Sequence, residues 1–249
     1  LYPAQTRQPM PFTLVLAMLT HLLARGLVAM GLAVLLGFAT YLRPRELTSL
    51  RVSQLVQPAL LGDRLFGQWC LVIHPEAEGV RSKNGLFDQS VALDSTWFMW
   101  AVSFWTTLTQ GRSATDRLWP FTHEELLIEF KAAVTALAVT DLKPCLYSLR
   151  HGGASEDLLS GTRCLASIKR RGGWASDSSM KRCTKETRLL AELHKVPGST
   201  FEYGNFIMTN LEGIFRGTVT LPACPLTGGI PRAVRRTQLV SRAKRLRVH

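Results

Sequence analysis

Two apolar stretches dominate the first part of the chain and predict two buried helices. Arg7 and Arg25 enclose 17 uncharged residues, and Arg25 and Arg43 enclose another 17. A membrane-spanning helix needs about 20 apolar residues, so each stretch is slightly short, and Arg25 separates the two. We therefore predict core helices over Phe12–Ala24 and Leu27–Thr40.

The pattern changes from helical to strand-like after a third, short helix. Pro44 suits the first turn of that helix. Strands are predicted over Gln68–His74 and Phe87–Leu93, and the polar segment between them contains the turn signal Asn84-Gly85. These features predict one small antiparallel sheet.

Helical patterns return after the sheet and continue to Pro197-Gly198, which is expected to end the last helix. Asp94-Ser95 and a capping box at Thr122 mark two helix starts. The predicted helices are Thr96 to about Gln110, Thr122 to about Val139, Ser148–Leu159, Arg163–Arg171 and Ser176–His194.

Strands and helices do not alternate, which argues against a doubly wound nucleotide-binding fold. The predicted fold class is α+β, mainly α-helical with one small antiparallel β-sheet. We expect a linker over residues 1–11, one domain over 12–197 and an irregular basic extension over 198–249.

The net charge of +12, with 46% hydrophobic residues, predicts a folded protein with an anionic partner. Nucleic acid, a membrane surface and an acidic protein all remain open. Much of the charge lies between Gly213 and His249, where there are eight basic residues and no acidic one. This segment is either a DNA-binding or nuclear-targeting extension, a disordered end, or translated sequence that flanks a mobile element.

Cysteine usage and the first residue add two expectations. Five scattered cysteines without a C-x-x-C motif favour neither a disulfide framework nor a zinc module, and they suggest a reducing compartment. Because the chain begins with Leu1 and not with Met, we expect it to be a piece of a longer product.

Three segments combine basic side chains with predicted helix ends. In residues 39–47 (ATYLRPREL), Arg43 directly follows an apolar helix, and Glu46 is placed to hold its guanidinium. In residues 147–155 (YSLRHGGAS), two glycines inside a helix indicate a close approach by another backbone or a ligand. In residues 170–177 (RRGGWASD), basic residues, an indole and a helix start can meet at a phosphate.

The order and spacing of these segments resemble the catalytic domain of the tyrosine recombinase (phage integrase) superfamily. Residues 40–47 (TYLRPREL) resemble its first arginine box, T-G-x-R-x-x-E-L, and residues 147–151 (YSLRH) its second, H-x-L-R-H. Lys83 matches the hairpin lysine, and Gly173-Trp174 matches the G-H or G-W step. The chain is most similar to the recombinases of eukaryotic mobile elements, over about residues 10–195.

The resemblance implies a metal-free phosphoryl transfer on double-stranded DNA, without a cofactor, in the nucleus, by a chain that assembles with itself on DNA. Two arginines would clamp the phosphate, the lysine would protonate the leaving oxygen and the indole would donate to a phosphate oxygen. The implied catalytic residues are Arg43, Lys83, Tyr147, Arg150, Trp174 and Cys183. The implied DNA contacts are Arg45, Arg81, His151, Arg170, Arg171, Lys181 and Arg182.

Two positions depart from the family pattern. Tyr147 stands where the family usually has His, and a phenol is a poorer proton acceptor near neutral pH. Cys183 stands nine residues after Trp174, where the family has its nucleophilic Tyr. Its sulfur is several ångströms shorter in reach, so we expect DNA binding with weak or absent cleavage. A non-catalytic DNA-binding module and a membrane-associated basic protein remain alternatives.

Overall fold

The structure, a computed structural model, describes residues 8–61, 64–76, 79, 88–177, 190–191 and 193–223. Its α-helices begin where the sequence places apolar periodicity or a capping residue. They are α1 (Phe12–Ala24), α2 (Val28–Thr40), α3 (Pro44–Ser49), α4 (Val102–Thr109), α5 (His123–Ala136), α6 (Leu146–Leu159), α7 (Leu165–Gly172) and α8 (Gly198–Arg216).

The strands lie between α3 and α4 in the chain. They are β1 (Leu55–Val56), β2 (Ala59–Leu61), β3 (Arg64–Phe66), β4 (Cys70–Ile73) and β5 (Gln89–Ala92). One antiparallel sheet has the order β1-β4-β5, and β2 pairs with β3 in a separate antiparallel ribbon. The mainly helical α+β class with a small antiparallel sheet is therefore confirmed.

The core is built around α1 and α2. Every residue of α2 is buried, and α1 exposes little beyond its polar end. Helix α1 packs against α2, α5 and α8, while α2 packs against α6. Two helices surrounded in this way must be apolar all round, which explains why their sequences mimic short membrane spans. Within the described residues, no helix combines the length and the apolar character needed to cross a membrane.

Several predicted elements are confirmed. Helix α1 spans the predicted residues, and α2 begins one residue late. The two main strands pair antiparallel as predicted but are shorter. At the start of α5, the Thr122 hydroxyl accepts from the Glu125 amide at 3.2 Å, and the Glu125 carboxylate accepts from the Thr122 amide at 2.7 Å.

The prediction for the C-terminal part is wrong between residues 198 and 216. Pro197-Gly198 begins a helix instead of ending the chain's regular structure, because α8 buries a stripe of side chains with helical spacing. That stripe contains Tyr203, Ile207, Leu211 and Ile214. The predicted helix Ser176–His194 and the basic segment from residue 224 lie mostly or wholly outside the described residues.

Two smaller differences concern helix starts. Ser95 makes no side-chain capping bond, and the segment after it is a 3₁₀-helix, Thr96–Ala101, that leads into α4. At the N-terminal end, Met10 is buried and its amide donates to the Ser148 carbonyl at 3.3 Å. The end of the predicted linker thus packs on α6.

Candidate functional site

The first arginine box lies at the junction between α2 and α3. Helix α2 ends at Tyr41, whose left-handed backbone (φ 55°) turns the chain, and Arg43 then precedes Pro44, the first residue of α3. The Glu46 carboxylate accepts from the Arg43 amide at 2.8 Å and also from the Arg43 guanidinium. The predicted Arg43–Glu46 pair is confirmed, and 21% of the Arg43 side chain is exposed.

The second box meets the first through Arg150. This residue lies on α6, is only 2% exposed, and its guanidinium donates to the carbonyls of Tyr41 and Gly172. Its guanidinium carbon lies 4.2 Å from the centre of the Trp174 ring. Segments 109 and 22 residues apart are therefore joined at one side chain.

The two glycines of α6 allow this approach. A Cβ on Gly152 would lie 2.2 Å from the Met10 carbonyl oxygen, and one on Gly153 would lie 1.9 Å from the Phe38 carbonyl oxygen. Atoms do not approach so closely, so any larger residue would push α6 away from α2. The predicted close approach is by backbone.

The Gly172-Gly173-Trp174 step ends α7 and turns the indole back toward α6. Gly173 has a left-handed backbone (φ 60°), and a Cβ on Gly172 would lie 2.0 Å from the Trp174 ring. The half-buried Trp174 ring is 6.1 Å from the Tyr41 ring and 6.3 Å from the His151 ring, between centroids. Both glycines are therefore needed to seat the indole among these rings.

An ionic cluster surrounds the end of α2 on the α7 side. It consists of Arg163 and Arg171 with Asp94 and Asp157, and is called the ionic cluster below. Arg163 donates to both carboxylates, at 2.9 Å for Asp157, and Arg171 lies 3.0 Å from Asp94. The Tyr41 hydroxyl also donates to Asp157.

Arg171 also binds the backbone of α2. Its Nε and Nη2 atoms donate to the Ala39 carbonyl at 3.0 and 2.9 Å. The last carbonyls of a helix have no partner within the helix. Arg171 at Ala39 and Arg150 at Tyr41 satisfy two such groups with positive charge, which the helix dipole favours.

The pKa values in this region follow from burial and charge. Burial raises the pKa of Tyr41 far above its usual value, and the bond to Asp157 adds to this. Burial alone would raise the pKa of Asp94, but the bond from Arg163 and the charge of Arg171 outweigh it, so that pKa lies below its usual value. Burial lowers the pKa of Arg171, against the opposing effect of Asp94.

The remaining predicted residues separate into surface and interior positions. Arg45 and Arg170 are exposed, as residues that contact DNA must be. His151 is only 2% exposed, and Arg171 only 8%. The DNA contacts expected at these two residues do not fit their positions, because their side chains face the interior. Tyr147 is partly buried, with its ring 5.2 Å from the His151 ring.

Five predicted residues lie outside the described part of the chain. They are Arg81, Lys83, Lys181, Arg182 and Cys183. The hairpin lysine and the nucleophile position thus keep the status of sequence predictions.

Sequence reasoning missed the acidic half of the ionic cluster and two residues at the sheet. Asp94 was expected to cap a helix, whereas its carboxylate binds Arg163 and Arg171. His74 and Gln89, at the ends of β4 and β5, contact the motif segments. A histidine and a glutamine at strand ends carry no signal in a single sequence.

No family model, curated protein or solved structure matches this chain. Among the described residues there is also no group of three His, Cys, Asp or Glu side chains placed to hold a metal ion.

Proposed function

We propose that the chain is a double-stranded DNA-binding domain of the tyrosine recombinase type, impaired in strand cleavage. One observation carries the proposal: all three motif segments meet at Arg150, which binds the Tyr41 and Gly172 carbonyls and stacks on Trp174. A basic motif scattered over more than a hundred residues has no reason to converge unless the fold brings its parts together.

Arg43 is the residue best placed to receive a phosphate. It lies beside the meeting point, two residues from Tyr41, and its side chain is partly exposed while Glu46 restrains it. A guanidinium fixed by a carboxylate presents its remaining N–H groups in a defined direction, which suits a phosphate oxygen. Arg45 and Arg170, both exposed, would add contacts to the phosphate backbone.

The impaired cleavage follows from the residue at position 183. A thiolate is a good nucleophile, and Lys181 and Arg182 beside it would lower the pKa of a thiol. A cysteine side chain nevertheless falls several ångströms short of the phosphorus that a tyrosine hydroxyl would reach, and attack requires about 3–3.5 Å. We expect binding without a stable protein–DNA adduct.

A nicked suicide substrate tests this proposal. The unmodified chain is expected to retain the DNA in a mobility-shift assay but to form no covalent adduct. Cys183→Tyr is expected to form some adduct, with Cys183→Ser as the matched control that forms none. An adduct made by the unmodified chain and lost in Cys183→Ser would contradict the impaired-cleavage proposal. Failure of the unmodified chain to bind duplex DNA would contradict the whole function.

The burial of Arg150 favours a second candidate, a DNA-binding module that never cleaves. A guanidinium that is 2% exposed and bonded to two carbonyls must leave these partners before it can clamp a phosphate. The same experiment separates the candidates. If Cys183→Tyr folds, binds DNA and forms no adduct, the non-catalytic module is the better description.

A further inference from the structure

The base of the β4–β5 hairpin contacts two of the three motif segments. His74 directly follows β4, and Gln89 begins β5, where it pairs with Ile73 in the antiparallel register. The Asp88 amide donates to the His74 carbonyl at 2.9 Å, and both residues have left-handed backbones (φ 56° for His74 and 49° for Asp88). The two side chains therefore leave the sheet at the same end.

His74 reaches the first arginine box. Its Nε2 atom lies 3.4 Å from Oε1 of Glu46, the carboxylate that also binds the Arg43 amide and guanidinium. Glu46 is 12% exposed and His74 21% exposed at the side chain, so water competes little for this contact. A carboxylate held from two directions has less freedom to rotate than one held by Arg43 alone.

Gln89 reaches the turn that carries Trp174. Its side-chain amide donates to the Arg171 carbonyl at 3.1 Å. Its Oε1 atom lies 2.8 Å from the point where a Cβ on Gly173 would be, so the glutamine fills the space beside the left-handed turn. A glycine turn has the most backbone freedom to lose, and Gln89 restricts it.

We infer that His74 and Gln89 are positioning residues: His74 orients Glu46 and through it Arg43, and Gln89 fixes the Gly172-Gly173 turn. The sheet thus determines the relative placement of the arginine and the indole. As far as DNA is concerned, this inference rests on the proposed function, but the positioning itself can be measured without DNA.

The variants follow from the local backbone. His74→Asn keeps a residue that tolerates a left-handed backbone and shortens the side chain out of reach of Glu46. His74→Gln restores a donor near the position of Nε2 and is the rescue variant. Gln89→Met keeps the length and removes the donor. Asp88→Asn and Ser90→Ala are the controls, since both residues are exposed neighbours in the same hairpin base.

Amide hydrogen exchange without DNA is the first measurement. His74→Asn is expected to speed exchange of the Arg43 amide roughly two- to tenfold, the range set by one hydrogen bond, and His74→Gln to restore much of the protection. Gln89→Met is expected to have that effect on the Gly173 and Trp174 amides. Unchanged exchange at these amides, or an equal change in the controls, would overturn the inference whether or not the chain binds DNA.

Coupling to Arg43 on DNA is the second measurement. His74→Asn is expected to weaken duplex binding two- to tenfold in the unmodified background and to have no further effect in Arg43→Ala. A purely structural role would give the same loss in both backgrounds, and that result would overturn the inference. If no variant binds DNA but the exchange results hold, the proposed function fails while the positioning role stands.

Discussion

The arginines of the motif segments have two different environments. Arg150 and Arg171 are buried, and their described bonds run to carbonyls at the end of α2, to the Gly172 carbonyl and to Asp94. Arg43 is partly exposed and is held by a side-chain carboxylate. The same residue type therefore completes the interior in one place and offers N–H groups to an anion in the other.

This difference has a physical basis in the geometry of helix ends. Helix α2 is entirely buried, so its last carbonyls cannot be hydrated and need internal donors. The long side chains of α6 and α7 supply them. Arg43 comes after that end, at the start of α3, where the backbone needs an acceptor for its amide and finds Glu46. Burial of the preceding helix decides which arginine is free to meet a ligand.

The largest effect is expected at the contact that brings α6 against α2. Gly153→Ala places a methyl group 1.9 Å from the Phe38 carbonyl oxygen, which forces the helices apart and disturbs Arg150. We expect a loss of at least about 3 kcal/mol in the free energy of unfolding in urea. Gly198→Ala, where the Cβ meets open space, is the control and should be nearly neutral. Similar losses for both would contradict the close approach.

Removal of a buried guanidinium should rank second. Arg171→Met leaves Asp94 and the Ala39 carbonyl without a donor, so we expect a loss of about 3 kcal/mol by urea unfolding. The neighbouring Arg170→Met is the matched control, and its exposed side chain should contribute less than about 0.5 kcal/mol. If the two variants are equally stable, the distinction between interior and surface arginines is wrong.

The ionic cluster should also make stability depend on pH. Because the folded pKa of Asp94 lies below its usual value, its contribution is present at neutral pH and is lost as pH falls through the unfolded and then the folded pKa. The stability difference between the unmodified chain and Asp94→Asn should shrink from pH 5 toward pH 3 in urea titrations. Asp177→Asn, at an exposed ion pair, is the control with little effect at either pH. A difference that grows in acid would reverse the sign of the argument.

The smallest effect on stability is expected at the exposed arginine. Arg43→Met removes a partly exposed pair three residues apart in the chain, which is worth at most about 1 kcal/mol by urea unfolding. Its effect on duplex DNA affinity should be larger than its effect on stability. A loss as large as that of Arg171→Met would show that Arg43 also supports the interior.

Apolar periodicity was enough to predict the helices of the core. The range of α1, the end of α2 at Thr40 and the capping box at Thr122 all follow from local patterns. Gly152 and Gly153 also signalled a close approach correctly, because a glycine pair inside a helix is costly without one. Such features depend on neighbours in the chain, and a single sequence contains them.

The rest depends on distant partners and could not be predicted in the same way. Asp94 has the composition of a helix cap, and only the fold brings it to Arg163 and Arg171, 69 and 77 residues away. Nothing in the sequence distinguishes the buried Arg171 from the exposed Arg170. The spacing of apolar residues in α8 was a usable signal, but the Pro197-Gly198 pair before it was given more weight.

The salt dependence of duplex DNA affinity tests the central claim most directly. Arg45→Ala and Arg170→Ala are compared with Lys131→Ala and Arg117→Ala, which remove exposed basic residues away from the motif segments. The account predicts that each of the first two lowers the slope of log affinity against log salt by about 0.9, while the controls leave it unchanged. Equal slopes in all four variants, or no duplex binding by the unmodified chain, would contradict it.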